Sequence, residues 1–407
     1  MDKKNKNPNV PNLRFSFEED WCTSTIGENF RLSSGLTPST KEKAYFNNGI
    51  IPWINSGELK NKYISSTENK LTLDAVKKHN LTIYPMDTMV IAIYGLEAAG
   101  VRGKASITKM DSTISQSCMA FNSLGNVLTQ FMYYVYKKEA QILGTRYAQG
   151  TKQQNLSSDL LSSYKLLYPS KEEQLKIVNF LSLIDEKIET QIKIIELKQS
   201  LIKDIEDKLL WKSASTYSRH ISDFLTELND KSKIQNQYPL LSSTKKGLFL
   251  QTDYFNKEAA SSNNIGYKIV HEGDIIISPQ NLWMGNITYN DKFVNGLVSP
   301  SYRIYKVKEE YNAYYISRIL MSYRALSLYK NISEQGASIV RRNLNVDAFN
   351  ELCFPIPNIK KQDEVSLFLS KLHQELNSEI EILRQLKNQK KYLPAFFIHT
   401  FSGILKM

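Results

Sequence analysis

The chain is poor in the residues that build metal and redox centres. Its 407 residues include 3 cysteines, an odd number, and 5 histidines. Cys22, Cys118 and Cys353 form no CxxC pair, so neither a disulfide framework nor a zinc ribbon is expected. Free thiols of this kind fit a reducing compartment. His79, His220, His271, His373 and His399 are scattered, with no pair at metal-ligand spacing. No apolar run reaches the length of a membrane span. The opening Met1-Asp2-Lys3-Lys4-Asn5-Lys6 lacks the apolar stretch of a signal peptide and reads as a flexible tail on a cytoplasmic protein. There is no P-loop, which argues against an NTPase. Gly95 to Gly103 is glycine-rich, yet it opens no amphipathic helix and so does not fit the dinucleotide fingerprint.

Negative charge is also in deficit. Against 52 Lys and Arg stand 41 Asp and Glu, for a net charge of +11. Such a balance favours polyanions, nucleic acid or an anionic membrane surface. The apolar fraction of 42% is enough for globular cores, and the length calls for two to four domains.

What the chain does have is itself, twice. A helical segment opening near Pro169 returns near Pro357, a spacing of 188 (357 − 169). At that spacing Gln174 maps to Gln362, Ile177 to Val365, Leu181 to Leu369 and Ile188 to Leu376. Just before it, Asn155-Leu156-Ser157-Ser158-Asp159 returns as Asn343-Leu344-Asn345-Val346-Asp347. Two similar halves in pseudo-two-fold arrangement suit two separated features on one linear ligand.

The repeat predicts an α+β chain in six segments: a tail over 1–10, a globular domain over 11–168, a helix over 169–211, a linker over 212–217, a second globular domain over 218–356 and a last helical segment over 357–407. In the first domain, Met89 to Tyr94 reads as a buried strand entered through the turn Pro85-Met86-Asp87. Ile275-Ile276-Ile277, after Glu272-Gly273-Asp274, is its counterpart. Tyr238-Pro239-Leu240-Leu241 echoes Ile51-Pro52-Trp53-Ile54.

The helical segments have a heptad pattern. Leu181, Ile188, Ile195, Ile202 and Leu209 form one row; Ile177, Ile184, Gln191, Lys198 and Ile205 form the other. Ser170 and Glu173 have capping-box spacing at the start. The second copy repeats the rows, with Glu379 in the place of Gln191. A helix of about 40 residues would run roughly 60 Å and needs a partner for its seam. The other copy is the simplest partner, in an antiparallel coiled coil with a polar centre that fixes register. Pro394 should end or kink the second helix.

Certain motifs are familiar as an ordered set. Leu32-Ser33-Ser34-Gly35-Leu36-Thr37-Pro38-Ser39-Thr40 and Gly49-Ile50-Ile51-Pro52-Trp53-Ile54 open the first domain; Gly150-Thr151-Lys152-Gln153-Gln154-Asn155-Leu156 closes it. Tyr168-Pro169-Ser170-Lys171-Glu172-Glu173-Gln174 then opens the helix. This set resembles the specificity subunits of type I restriction–modification systems, over nearly the whole chain. The second domain departs from the pattern at Ser242-Ser243-Thr244-Lys245-Lys246-Gly247 and at Gln335-Gly336-Ala337-Ser338-Ile339-Val340-Arg341-Arg342. The resemblance implies two target recognition domains, each reading one half of a bipartite site on double-stranded DNA. It implies a non-catalytic subunit assembled with two adenine methyltransferase subunits, and with restriction subunits when the DNA is cut. S-adenosylmethionine, ATP and Mg²⁺ would belong to those partners, and no cofactor is expected in this chain.

Lys and Arg suit phosphates and guanine edges, and Asn and Gln suit adenine. On that chemistry the DNA-contacting candidates of the first domain are Tyr94, Arg102, Lys104, Arg146, Lys152, Gln153 and Gln154. Those of the second are Lys245, Lys246, Gln280, Asn281, Trp283, Arg341 and Arg342. For each, a solvated surface role is the competing reading, and for Trp283 a packed core aromatic. Two other functions stay open. A stand-alone DNA-modifying enzyme would need a cofactor or metal motif. A coiled-coil scaffold would have no use for two divergent basic loop sets.

Overall fold

Polar caps punctuate both halves at matching places. A computed structural model describes residues 14–148, 155–212, 218–245, 247–254, 263–335 and 342–398. The expected tail, and all of the expected linker except Lys212, lie outside them. Thr25 starts the helix Ile26–Asn29 with a full capping box. Its N–H donates to Glu28 Oε2 at 3.0 Å, and the Glu28 N–H donates back to Thr25 Oγ1 at 3.3 Å. His220 and Asp223 do the same for Ile221–Phe224. Ser157 caps Ser158–Ser162, and Asn345, its counterpart in the repeat, caps Val346–Asn350.

The chain divides into two compact units, residues 1–190 with 383–407, and residues 191–382. Each unit holds a globular part and a stretch of both long helices. In the first, Cys22–Thr25 pairs antiparallel with Lys165–Tyr168, the strand just before the central helix. The main sheet runs in the order Phe30–Ser34, Cys118–Ser123, Met89–Ala92, Ala105–Thr108, Tyr63–Ile64. Side chains alternate across it as strand geometry requires. Met89 and Ile91 join the core under the helix Thr129–Ile142; Val90 and Ala92 join a second core with Ile54 and Ile114.

The second unit repeats this frame. Ser218–His220 pairs with Cys353–Pro355, and the sheet order is Leu225–Leu228, Arg303–Val307, Ile275–Ile277, Ile287–Tyr289. Register matches as well. Phe121 sits opposite Leu32 and Met89, and Tyr305 opposite Glu227 and Ile275. The turn into the central strand needs a left-handed residue in both units, Asp87 at φ 63° and Gly273 at φ 89°. The edges differ. The first unit adds Tyr63–Ile64 as a fifth, parallel strand, whereas the second folds Leu241–Thr244 and Gly247–Leu250 into a separate hairpin.

The long helices are Lys171–Asp207, prolonged by a wider turn over Lys208–Lys212, and Ile359–Phe397. The predicted seam is buried at Ile177, Leu181, Ile188, Ile195 and Ile202, and at Val365, Leu369 and Leu376. In the first unit Phe180 meets Phe397, and Asp185 meets Lys390 at 2.6 Å. In the second, Gln191 Nε2 donates to Glu379 Oε2 at 2.6 Å and to its carbonyl at 3.0 Å, and Lys198 joins that carboxylate at 2.9 Å. Partners descend along one helix as residues ascend the other, so the pairing is antiparallel. The expected polar centre is present, made of two residues one repeat apart.

Two expectations at helix ends need correction. Ser170 accepts from the Glu173 N–H at 3.5 Å, but the Glu173 side chain does not close the box. It takes a fork from Arg14 instead, at 2.8 and 2.7 Å, because a buried carboxylate gains more from a guanidinium than from one N–H. Nor does Pro394 end the last helix, which continues to Phe397. Pro394 removes one helical donor, yet Phe397 packs on Phe15 and Phe180, Ile398 is fully buried, and the Ile398 N–H returns to the Pro394 carbonyl at 2.9 Å.

One glutamine ties each helix start to its globular part. Gln174 accepts from the Leu128 N–H at 2.8 Å and donates to the carbonyls of Asn126 and Pro169. Gln362 accepts from the Asn312 N–H at 2.9 Å and donates to the Pro357 carbonyl at 2.8 Å. Leu128 and Asn312 are the residues that begin the sheet-covering helices of the two units. Both glutamines are buried, and their shared position reflects a duplicated bond network.

Candidate nucleic-acid interface

Loops leaving the central strand gather the candidates in each unit. In the first, Tyr94 is exposed directly after Met89–Ala92. The Leu156 N–H donates to the Ile93 carbonyl at 3.1 Å, so the chain closing the domain lies beside Tyr94. Arg102 is half-buried and braces its own loop: Nε donates to the Leu96 carbonyl at 2.6 Å and Nη2 to that of Glu97 at 3.1 Å. Gly144 packs on the Arg102 side chain, where a Cβ would come within 2.9 Å. That contact joins Arg102 to the turn Leu143–Tyr147, on which Arg146 is exposed. Lys104 is half-buried at the entry to Ala105–Thr108. Lys152, Gln153 and Gln154 lie outside the described residues.

The second unit brings its candidates closer together. Gln280 is exposed after Ile275–Ile277, Asn281 is half-buried, and Trp283 lies on the short helix Leu282–Met284. The Arg342 N–H donates to the Gln280 carbonyl at 3.2 Å, and its guanidinium stacks 4.5 Å from the centre of the Trp283 ring. Arg342 Nε and Trp283 Nε1 are both buried without a hydrogen-bond partner among the described residues. A planar cation held against an indole keeps its orientation while its outer N–H groups remain available to an acceptor. Trp283 is half-buried, so it is neither a free surface side chain nor a closed core aromatic. Lys245 is exposed in the turn of the hairpin, apart from this cluster in sequence. Lys246 and Arg341 lie outside the described residues.

The helices meet their globular parts through buried polar groups that the residue pattern did not single out. In the first unit Lys62 Nζ donates to Tyr134 Oη at 2.8 Å and Ser182 Oγ at 2.7 Å, and Tyr134 donates to Asp185 at 2.7 Å. Burial pushes the Lys62 ammonium down and the Tyr134 phenol far up. In the second unit Glu206 accepts from Arg318 Nε at 2.7 Å and lies 3.0 Å from His373 Nε2. Burial works to raise the Glu206 carboxyl, but the His373 hydrogen bond and the Arg318 charge overcome it and hold it below the usual range.

Among the described residues no group of three or more His, Cys, Asp or Glu could hold a metal ion. No described helix is long and apolar enough to cross a membrane.

Both sheets share a four-stranded antiparallel frame, which a parallel edge strand extends in the first unit, and each carries divergent loops at the end of its central strand. Residues 18–199 match the type I restriction modification DNA specificity domain. It is 30% identical over 194 residues to the type I restriction enzyme MjaIX specificity subunit of Methanocaldococcus jannaschii, covering 46% of this chain and 43% of the relative. It is 27% identical over 169 residues to the EcoR124I/EcoR124II specificity subunit of Escherichia coli, covering 41% of each. The chain thus spans less than half the length of the curated relatives it matches. The fold is shared more widely. A type I restriction–modification S subunit from M. genitalium superposes with TM-score 0.57 at 16% identity, over 97% of this chain and 100% of that one. A chain from a structure of type I R-M complex assembly and conformational transition superposes with TM-score 0.58 at 10% identity, over 94% and 99%.

Proposed function

We propose that the chain is the DNA sequence-specificity subunit of a type I restriction–modification complex and catalyses nothing itself. Each globular part reads one half of a bipartite target on double-stranded DNA, and the two long helices set the spacer between the halves. The observation that carries this reading is the duplicated sheet frame combined with loops that do not repeat. A scaffold has no need to vary the two loop sets independently, whereas two different half-sites require it.

The helices also offer a surface for partners. Leu183, Leu197, Leu201, Leu367 and Phe368 are exposed apolar residues on their outward faces. Such stripes suit helix-to-helix docking. The proposed occupants are two methyltransferase subunits, with restriction subunits in the full complex. Acting on DNA, the complex works in the cytoplasm, and S-adenosylmethionine and ATP bind to the partner subunits.

A genome-wide map of methyladenine, with and without this gene, tests the reading. Loss of one bipartite motif with a fixed spacer is the expected result. An unchanged methylome in cells that express a partner adenine methyltransferase would overturn it.

A further inference from the structure

The second unit contains a polar cleft at the ends of its strands. It has a volume of about 590 Å³ and is lined by Glu227, Asn229, Lys268, Pro279, Ser301 and Arg303 among others. Several strand ends meet there. Arg303 opens its strand opposite Ile277, and Lys268 opens another opposite Val298. Pro279 immediately precedes Gln280, so the cleft borders the loop that carries Gln280 and Trp283.

Its charges are unbalanced. Arg303 is bound by Glu227 at 2.5 Å. Lys268 is only 8% exposed, yet its ammonium has no hydrogen bond or ion pair among the described residues. Its stem is covered while its head lines the cleft, where the ammonium is open to a ligand. Burial lowers this ammonium, Glu227 opposes the shift, and Arg303 and Lys231 add to it. The local field therefore favours the arrival of an anion.

Register shows that the Glu227–Arg303 pair belongs to one domain. Phe121 in the first unit corresponds to Tyr305 in the second, so Leu32 stands where Glu227 does and Met119 where Arg303 does. Met119 is 1% exposed and packs in the core of its unit. A general requirement of the fold would appear in both copies.

We infer that this cleft seats a phosphate of the DNA backbone, with Lys268 as its counter-charge and Arg303 as a second donor. The inference rests on the DNA-binding reading above and adds an anchor specific to the second half-site. Lys268 positions the duplex and leaves base choice to the neighbouring loop. Glu227 competes with the phosphate for Arg303.

The test is a salt titration of duplex-DNA binding by the full chain, with thermal unfolding in parallel. Removing one phosphate contact should reduce the slope of log K against log salt by about 0.9. Lys268→Met is expected to show that reduction together with an unchanged or higher Tm, because the ammonium makes no hydrogen bond or ion pair within the described residues and Met keeps the apolar stem. Lys268→Arg should restore most of the slope. Glu227→Gln should strengthen binding by freeing Arg303. An unaltered slope in Lys268→Met, or a fall in its Tm, would overturn the assignment. Failure of the unaltered chain to bind any duplex would instead overturn the DNA-binding reading itself.

Discussion

The two sheets share strand order, direction and register, yet at matched positions one carries Leu32 and Met119 and the other Glu227 and Arg303. The contrast separates the parts of the repeat that hold the fold from those free to vary. Gln174 and Gln362, the capping boxes and the left-handed turn residues are duplicated because backbone groups depend on them. Loop cations and sheet ends differ because nothing in the frame depends on them. The ties between helix and globular part are intermediate. They occur in both units but use different chemistry, a phenol and a lysine in the first and an arginine and a histidine in the second.

The largest effect should come from setting those ties against each other. Arg318→Met leaves a buried carboxylate with only His373, and should cost about 3 kcal/mol. Tyr134→Phe removes one hydroxyl while Asp185 keeps Lys390 and Lys62 keeps Ser182, and should cost about 1 kcal/mol. Urea unfolding of each variant measures both. Equal losses would mean that the Arg318 ion pair is no more important than the Tyr134 hydroxyl.

Next come the paired glutamines. Gln174→Leu and Gln362→Leu each strand backbone groups at a helix start, at about 2 kcal/mol apiece. A duplicated frame requires the two losses to agree within roughly 1 kcal/mol. If one variant were silent, the symmetry of the clamp would be only geometric.

A third contrast is acid sensitivity. The folded Glu206 carboxyl lies below its unfolded value, so the unfolded chain takes up its proton first as pH falls. The stabilisation is complete above the unfolded carboxylate value, about 4.3, and is lost as pH falls through the lower folded value. Denaturant midpoints between pH 6 and pH 3 should therefore drop more steeply for the unaltered chain than for Glu206→Gln. Parallel curves would remove Glu206 from the account.

The smallest effect should separate two arginines that the residue pattern could not distinguish. Arg342→Ala should weaken DNA binding by about tenfold and flatten the salt slope by roughly one contact. Arg102→Ala should lower Tm and leave that slope nearly intact, since its donors already serve loop carbonyls. The opposite result, a salt effect at Arg102 and none at Arg342, would reverse their roles.

Much of the frame was legible beforehand. The heptad rows located the buried seam, and Gln191 with Glu379 was readable as a polar centre because both fall at one repeat position in apolar rows. The helix runs past Pro394 because Phe397 packs on Phe15 and Phe180 and Ile398 is buried, contacts that residue type alone does not show. The Glu173 contact is hidden in the same way, as Arg14 lies 159 residues away in sequence. For the candidate interface, loop position was readable at Tyr94 and Gln280, while the employment of individual cations was not. Arg102 and Arg342 look equivalent as residue types and differ only in what surrounds them.

Periodicity and repeat spacing act along the chain, so the amino-acid sequence by itself determined two related halves, a heptad seam and the turns that enter each central strand. Tertiary structure alone decided which polar groups are satisfied. It turned Arg102 back on its loop, stacked Arg342 on Trp283 and set Lys268 in the wall of a cleft. Hydrogen bonding and desolvation depend on neighbours brought together from distant segments, and those neighbours exist only once the sheets have formed.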